Sequence, residues 1–191
     1  MAYEEAKYTV LRKSGDFELR QYEPRITAET LVEGDFEEVG NEGFRRLFKY
    51  ISGENLKKQS ISMTTPVSQE ASSEKIAMTA PVGQERVGTA WRVAFLMPSA
   101  YTLETLPQPL DPKVVLKMTP ALLAATVTYS GTWSRKRYEE KKALLETFMK
   151  EQGLQPLGEP VFARYNPPFT LWFLRRNEVL IPVQAPAGER K

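Results

Sequence analysis

Residues of like kind recur along this chain ninety-seven positions apart. Leu19 is matched by Leu116, Arg20 by Lys117, Ile26 by Leu123, Ala28 by Ala125, Gly34 by Gly131, Phe36 by Trp133, Leu47 by Leu144 and Ile51 by Phe148. The periodicity of apolar residues follows the same schedule. Strand, strand, helix and further strand recur on either side of a bridge punctuated by Pro98, Pro107, Pro109 and Pro112. A repeated supersecondary unit leaves one apolar face open and hides it by sharing a core with its copy. The expected architecture is α+β: duplicated ββαβ-type halves, at about residues 7–87 and 88–184 of a single domain spanning 1–191, forming a twisted antiparallel β-barrel-like sheet flanked by two helices. A chain of 191 residues is long enough to bury such a core.

A second repetition lies inside the first. Ile61-Ser-Met-Thr-Thr-Pro-Val-Ser-Gln-Glu70 returns as Ile76-Ala-Met-Thr-Ala-Pro-Val-Gly-Gln-Glu85, with seven of ten positions identical. Apolar and polar residues alternate up to each proline, so each copy reads as a short strand, with Ile61, Met63 and Thr65 on one face and Ile76, Met78 and Ala80 on the other copy's equivalent face. Pro66 and Pro81 cannot donate to a ladder and should end a strand or lie on an edge. Both methionines then lie over one apolar surface, as gap-fillers of a core or as part of a site.

Along the rest of the chain, Ser14-Gly15-Asp16 joins two alternating runs into a hairpin, and Arg25 to Glu33 reads as a strand. Asp35, with Glu38 three residues on, reads as the N-cap of a helix carrying Phe36, Val39, Gly43, Phe44, Leu47, Phe48 and Ile51 at helical spacing. Gly40 and Gly43 each cost about 1 kcal/mol in a helix interior, which implies a close approach by the sheet or by a ligand. Thr89 to Met97, Lys113 to Met118 and Ala121 to Tyr129 are expected strands. A second helix from Trp133 places Tyr138, Leu144, Leu145, Phe148 and Met149 on one side. Val161 to Tyr165 is a short strand, Asn166-Pro167-Pro168 a rigid turn, and Leu171 to Val183 a final apolar run.

Composition removes several functions. The absence of Cys and His excludes disulfides, thiol chemistry, thiolate metal sites and the commonest general base. No P-loop, dinucleotide fingerprint or Gly-x-Ser-x-Gly occurs, and Ser72-Ser-Glu-Lys75 lacks the companion motifs of a serine-lysine site. No catalytic residue and no metal site is therefore expected. A net charge of +2 gives no field for nucleic acid, and no apolar run is long enough for membrane insertion. The opening Met-Ala-Tyr-Glu-Glu-Ala-Lys does not read as a secretory signal, so the expected location is cytoplasmic.

Four stretches in order, the paired Met-Thr-x-Pro-Val motif, Phe48-Lys-Tyr-Ile-Ser-Gly-Glu-Asn55, Tyr165-Asn-Pro-Pro168 and Arg175-Arg-Asn-Glu-Val179, resemble the SOUL family of haem-binding proteins over about Tyr8 to Val183. The resemblance implies a twisted β-barrel flanked by two helices. It also implies non-covalent binding of haem or another tetrapyrrole in an apolar groove beside the first helix, with no enzymatic reaction. Carried onto this sequence, the groove is lined by Val39, Gly43, Phe44, Leu47 and Phe48, with Tyr165 and Phe169 of the turn near it, and Gly43 leaves room for a flat ring. Arg46 is the cation assigned to a propionate, with Arg45, Lys49, Arg175 and Arg176 also in reach. Asn41 and Thr170 stand where some members carry basic residues. Without His or Cys, any iron bond would come from Met or Tyr, with Met63, Met78, Tyr50 and Tyr165 the candidates, or from a weaker donor or water, and the expectation is a carrier or buffer without a strong axial ligand. Haem or porphyrin is the expected partner. The alternatives are a domain for another apolar small molecule and a protein-interaction module that has lost haem binding.

Overall fold

Alternation of apolar and polar residues makes most of this chain strand, and two runs at helical spacing interrupt it. A computed structural model describes residues 3–57, 73–167 and 169–184; the first motif copy, Ile61 to Glu70 with Met63, lies outside the described residues. In chain order the elements are β1 (Glu4–Glu5), β2 (Tyr8–Ser14), β3 (Phe17–Tyr22), β4 (Arg25–Val32), α1 (Phe36–Ile51), β5 (Asn55–Leu56), β6 (Thr79–Ala80), β7 (Val82–Val87) and β8 (Ala90–Leu96). There follow β9 (Gln108–Pro109), β10 (Val115–Thr119), β11 (Leu122–Ser130), α2 (Arg135–Glu151), β12 (Val161–Arg164), a 3-10 turn over Trp172–Leu174, and β13 (Arg176–Pro182).

Nine of the described strands form one antiparallel sheet in the order β10-β4-β8-β7-β12-β13-β11-β3-β2. It is curled but open, with β10 and β2 at its edges. The ninety-seven-residue spacing is visible in its register. Leu116 of β10 lies opposite Ala28 of β4, and Leu19 of β3 lies opposite Ala125 of β11, so residues that match in sequence occupy equivalent places in two ladders. Consecutive strands β3 and β4 are consequently not neighbours; each pairs with a strand from far along the chain.

Both helices cover one face of the sheet, α1 over β4 and β8, α2 over β11 and β13. Gly34 and Gly131 precede them with the same φ of 137°, a conformation that glycine adopts without the steric cost of a side chain. The expected capping box does not form: the Asp35 side chain caps nothing, and only its carbonyl accepts the Val39 N–H at 3.0 Å. Burial of Phe36 fixes that first turn instead, its ring lying 5.3 Å from Trp91, 5.0 Å from Tyr138 and 5.5 Å from Phe162. Ser134 does cap α2, accepting from the Arg137 N–H at 3.4 Å.

Two further sequence expectations are corrected. Leu144 is half exposed while Leu145 is fully buried, so the constant spacing that pairs Leu144 with the buried Leu47 slips by one residue inside the helices. In the second motif copy only Thr79–Ala80 of the stretch before Pro81 is strand, paired in parallel with Glu4–Glu5, and the copy's remaining residues from Val82 on belong to β7, between β8 and β12. The final apolar run, Leu171 to Val183, divides into a 3-10 turn and β13. Its first residues form the 3-10 turn, and Leu171, Trp172, Phe173 and Leu174 are each more than half exposed.

Candidate functional site

The pattern of α1 separates residues that hold it to the sheet from residues left at its side. Val39 and Leu47 point into the core and are essentially inaccessible. Gly43 sits directly on β8, where a Cβ would stand 2.5 Å from Val93 Cβ. The space saved at Gly43 is therefore filled by the sheet, which corrects the expectation that it leaves room for a ring. Gly40 serves a similar end: a Cβ there would lie 2.7 Å from Gln84 Oε1 and 2.9 Å from an Arg164 guanidinium nitrogen.

Phe44 and Phe48, one turn apart, project from the flank of the helix. Their rings stack at 5.8 Å with planes 12° apart, Phe44 leans on Phe95 at 5.3 Å, and Phe48 remains 47% exposed. Across from them the chain leaves β12 through Tyr165 and turns at Asn166-Pro167, which brings Phe169 to the same place. A cleft of about 210 Å³ results, lined among others by Phe44, Phe48, Met78, Arg164, Tyr165 and Phe169. Four of the eight residues expected in the groove thus meet here: Phe44, Phe48, Tyr165 and Phe169. Arg46 does not join them. It donates to Thr30 Oγ1 at 2.7 Å and to Glu42 at 2.8 Å and lies 3.6 Å from Asp111, on a different groove.

Three of the other expected cations are also engaged, while Arg45 is exposed and not part of the cleft lining. Arg176 is bound to Glu178 at 2.9 Å and to Glu5 at 3.0 Å, Arg175 donates to the Thr170 carbonyl at 2.8 Å, and Lys49 lies 3.7 Å from Glu54. Arg164 was not singled out from the sequence and is the cation that lines the cleft. The signal was present in β12, where Phe162 and Arg164 share the face that looks toward the helices. The candidate iron ligands divide as well. Tyr50 donates to the Pro107 carbonyl at 2.9 Å, and burial raises its pKa; Tyr165 donates to Glu178 at 2.7 Å, and burial and that carboxylate raise its pKa too. Neither offers a phenolate near neutral pH. Met78 lines the cleft and its thioether is free of such ties. Among the described residues no cluster of three or more carboxylates could hold a metal ion, and no helix is long and apolar enough to cross a membrane.

The opposite face of the sheet carries a second hollow of about 270 Å³, lined among others by Tyr22, Arg25, Glu29, Glu85, Arg92 and Leu180. Arg92 there lies 3.4 Å from Glu29 and 3.0 Å from Glu85. Burial nonetheless pushes the Glu85 carboxyl above its ordinary pKa.

A curled antiparallel sheet with two helices on one face is shared with solved proteins of different kinds. The C-terminal domain of EcmrR superposes with a TM-score of 0.58 at 11% identity, over 93% of this chain and 98% of that one. A hydrolase from Listeria innocua superposes with a TM-score of 0.59 at 13% identity, over 91% of this chain and 94% of that one. At such identities the likeness is one of fold. The sequence is more discriminating: residues 3–182 match the family model for the SOUL heme-binding protein, and the chain belongs to that family. Among curated relatives, Heme-binding protein 2 of Homo sapiens is 26% identical over 174 residues, covering 86% of this chain and 80% of that protein. Heme-binding protein 2 of Mus musculus is 28% identical over 181 residues, covering 93% and 83%.

Proposed function

We propose that this protein binds haem or another tetrapyrrole non-covalently in the cleft between α1 and the Tyr165 to Phe169 turn, and holds it as a carrier or buffer. The observation that carries this reading is the stacked Phe44–Phe48 pair, left half open on the helix flank and facing Tyr165 and Phe169 in a chain of this family. The residues present fit such a ring: two aromatic walls supply apolar contact, Met78 supplies a soft thioether, and a cation lies within the lining. Bound haem would bring redox-active iron, for which this cleft provides no imidazole or thiolate. Retention therefore rests on ring contact and charge. We assign the chain no reaction of its own. We also infer that it is one duplicated domain, with halves at about residues 7–87 and 88–184, supported by the equivalent registers of the two ladders.

Haemin and metal-free protoporphyrin titrated into the wild type should both saturate at one ring per chain, followed by quenching of tryptophan emission. Burying 100 Å² of apolar surface contributes about 2.5 kcal/mol, so Phe44→Ala and Phe48→Asp should each weaken both ligands by roughly ten- to a hundredfold. Phe48 is exposed enough that its substitution leaves the fold intact. Leu47 is no probe of the cleft, because it is buried in the core. Non-saturating binding, or affinity unchanged in both variants, would overturn the assignment. A sharp six-coordinate low-spin haem spectrum would overturn the absence of a strong axial ligand. The hollow on the opposite face favours a second reading, a site for another small molecule, which saturable binding unaffected by Phe44 and Phe48 would support.

A further inference from the structure

Arg164 is a cation in the wrong place for a purely structural residue. It is only 8% exposed, and among the described residues no carboxylate pairs with it. One guanidinium nitrogen donates to the Gly40 carbonyl at 3.2 Å, the group lies 5.2 Å from the Trp133 ring centre, and Nε finds no hydrogen-bond partner among the described residues. Burial alone pulls its pKa down to about 10, which leaves it charged at neutral pH. The sheet's other buried arginine shows the contrast: Arg20 sits against Glu178 at 2.8 Å and 3.1 Å. A buried guanidinium with an unused donor is costly, and a methionine would fill the same volume without that cost. The helix even gives up a side chain at Gly40 to admit it.

We propose that Arg164 is the counter-charge for an acid group of the bound ring, so that the cleft selects tetrapyrroles bearing carboxylates over their neutral esters. The proposal rests on the tetrapyrrole reading of the cleft. A carboxylate is the group that matches the guanidinium fork, accepting two donors at once and neutralising the charge where water is largely excluded. Of the cations expected to serve propionates, Arg46, Lys49 and Arg176 lie against Glu42, Glu54 and Glu178, Arg175 donates to the Thr170 carbonyl and Arg45 is not part of the cleft lining, whereas Arg164 lines the cleft and has a donor to spare.

The test compares protoporphyrin IX with its dimethyl ester, read by porphyrin fluorescence, in the wild type, Arg164→Met and Arg164→Lys. The wild type should hold the free acid about tenfold or more tighter than the ester. Arg164→Met should bring the two within about twofold of each other by weakening the acid alone, and Arg164→Lys should keep part of the preference. Arg164→Met should also melt close to the wild type, since the lost hydrogen bond to the Gly40 carbonyl and contact with Trp133 are offset by relief of the buried, unpaired charge, which separates a missing counter-charge from a missing fold. Equal binding of acid and ester by the wild type, or a preference that survives in Arg164→Met, overturns the role given to Arg164. Failure of the wild type to bind either ring overturns the cleft itself, and the two failures are distinct.

Discussion

Glu178→Ala is expected to destabilise the folded chain by about 3–5 kcal/mol, read as a fall in the denaturant midpoint at neutral pH. Glu178 is fully buried in β13 and is the acceptor at the centre of a network on the sheet face opposite the helices. Arg20 donates to both its oxygens at 2.8 Å and 3.1 Å, Tyr165 donates at 2.7 Å, Arg176 at 2.9 Å and Thr128 at 3.2 Å. Truncation would leave Arg20, which is only 2% exposed, with the less buried Glu18 at 2.7 Å as its remaining carboxylate, and would strip Arg20, Tyr165, Arg176 and Thr128 of a shared acceptor; those lost bonds and the half-answered charge are the source of the cost. A loss below about 1 kcal/mol would mean that water reaches Arg20 and that the network is ornamental.

The same group sets an acid limit. Burial by itself raises the Glu178 pKa, but hydrogen bonding and charge from Arg20, then Tyr165 and Arg176, outweigh it and hold the carboxyl below its ordinary range. A carboxyl depressed in the folded state stabilises fully above its unfolded pKa of about 4.3, and loses that contribution as pH falls through the lower folded value. Stability of the wild type should therefore drop below about pH 4 more steeply than that of a Glu178→Gln variant, measured by thermal melts across that range.

Gly43→Ala is the second large effect, an expected loss of about 2–3 kcal/mol despite the roughly 1 kcal/mol that alanine gains over glycine in helix propensity. The new Cβ would stand 2.5 Å from both Cβ and Cγ2 of Val93, so α1 must lift from β8 or the strand must give way. Val93→Ala in the same chain removes part of the obstruction and should recover about 1 kcal/mol, a coupling that a double-mutant cycle measures. Were the glycine instead making room for a ligand, Gly43→Ala would leave stability unchanged or raise it, and only ring affinity would fall.

These two residues mark the boundary between what periodicity reveals and what packing decides. The helix carrying Gly43 was legible because Phe36, Val39, Leu47 and Ile51 recur at helical spacing, and the two glycines announced a close approach. Which body approaches is a matter of three-dimensional distance, and it proved to be Val93 at Gly43 and the Arg164–Gln84 pair at Gly40. Phe44 and Phe48 were legible as part of an apolar face, yet only the helix's seat on β4 and β8 leaves them at its flank while Leu47 goes inside. Arg46 was assigned to a propionate from its place on the first helix, and the structure ties it to Thr30 and Glu42.

The sequence by itself determined the long strands other than β7, the order of those elements, the two helices and the family, because these depend on local periodicity and on residues repeated at fixed spacing. Tertiary structure decided the exchange by which β3 pairs with β11 and β10 with β4, since hydrogen bonding between strands far apart in the chain leaves no mark on either strand's own pattern. It also decided which charges are answered. Arg20 and Arg164 are both arginines on buried strands, but Glu178 lies against the first and no described carboxylate against the second, and that difference arises from which strands the fold makes neighbours.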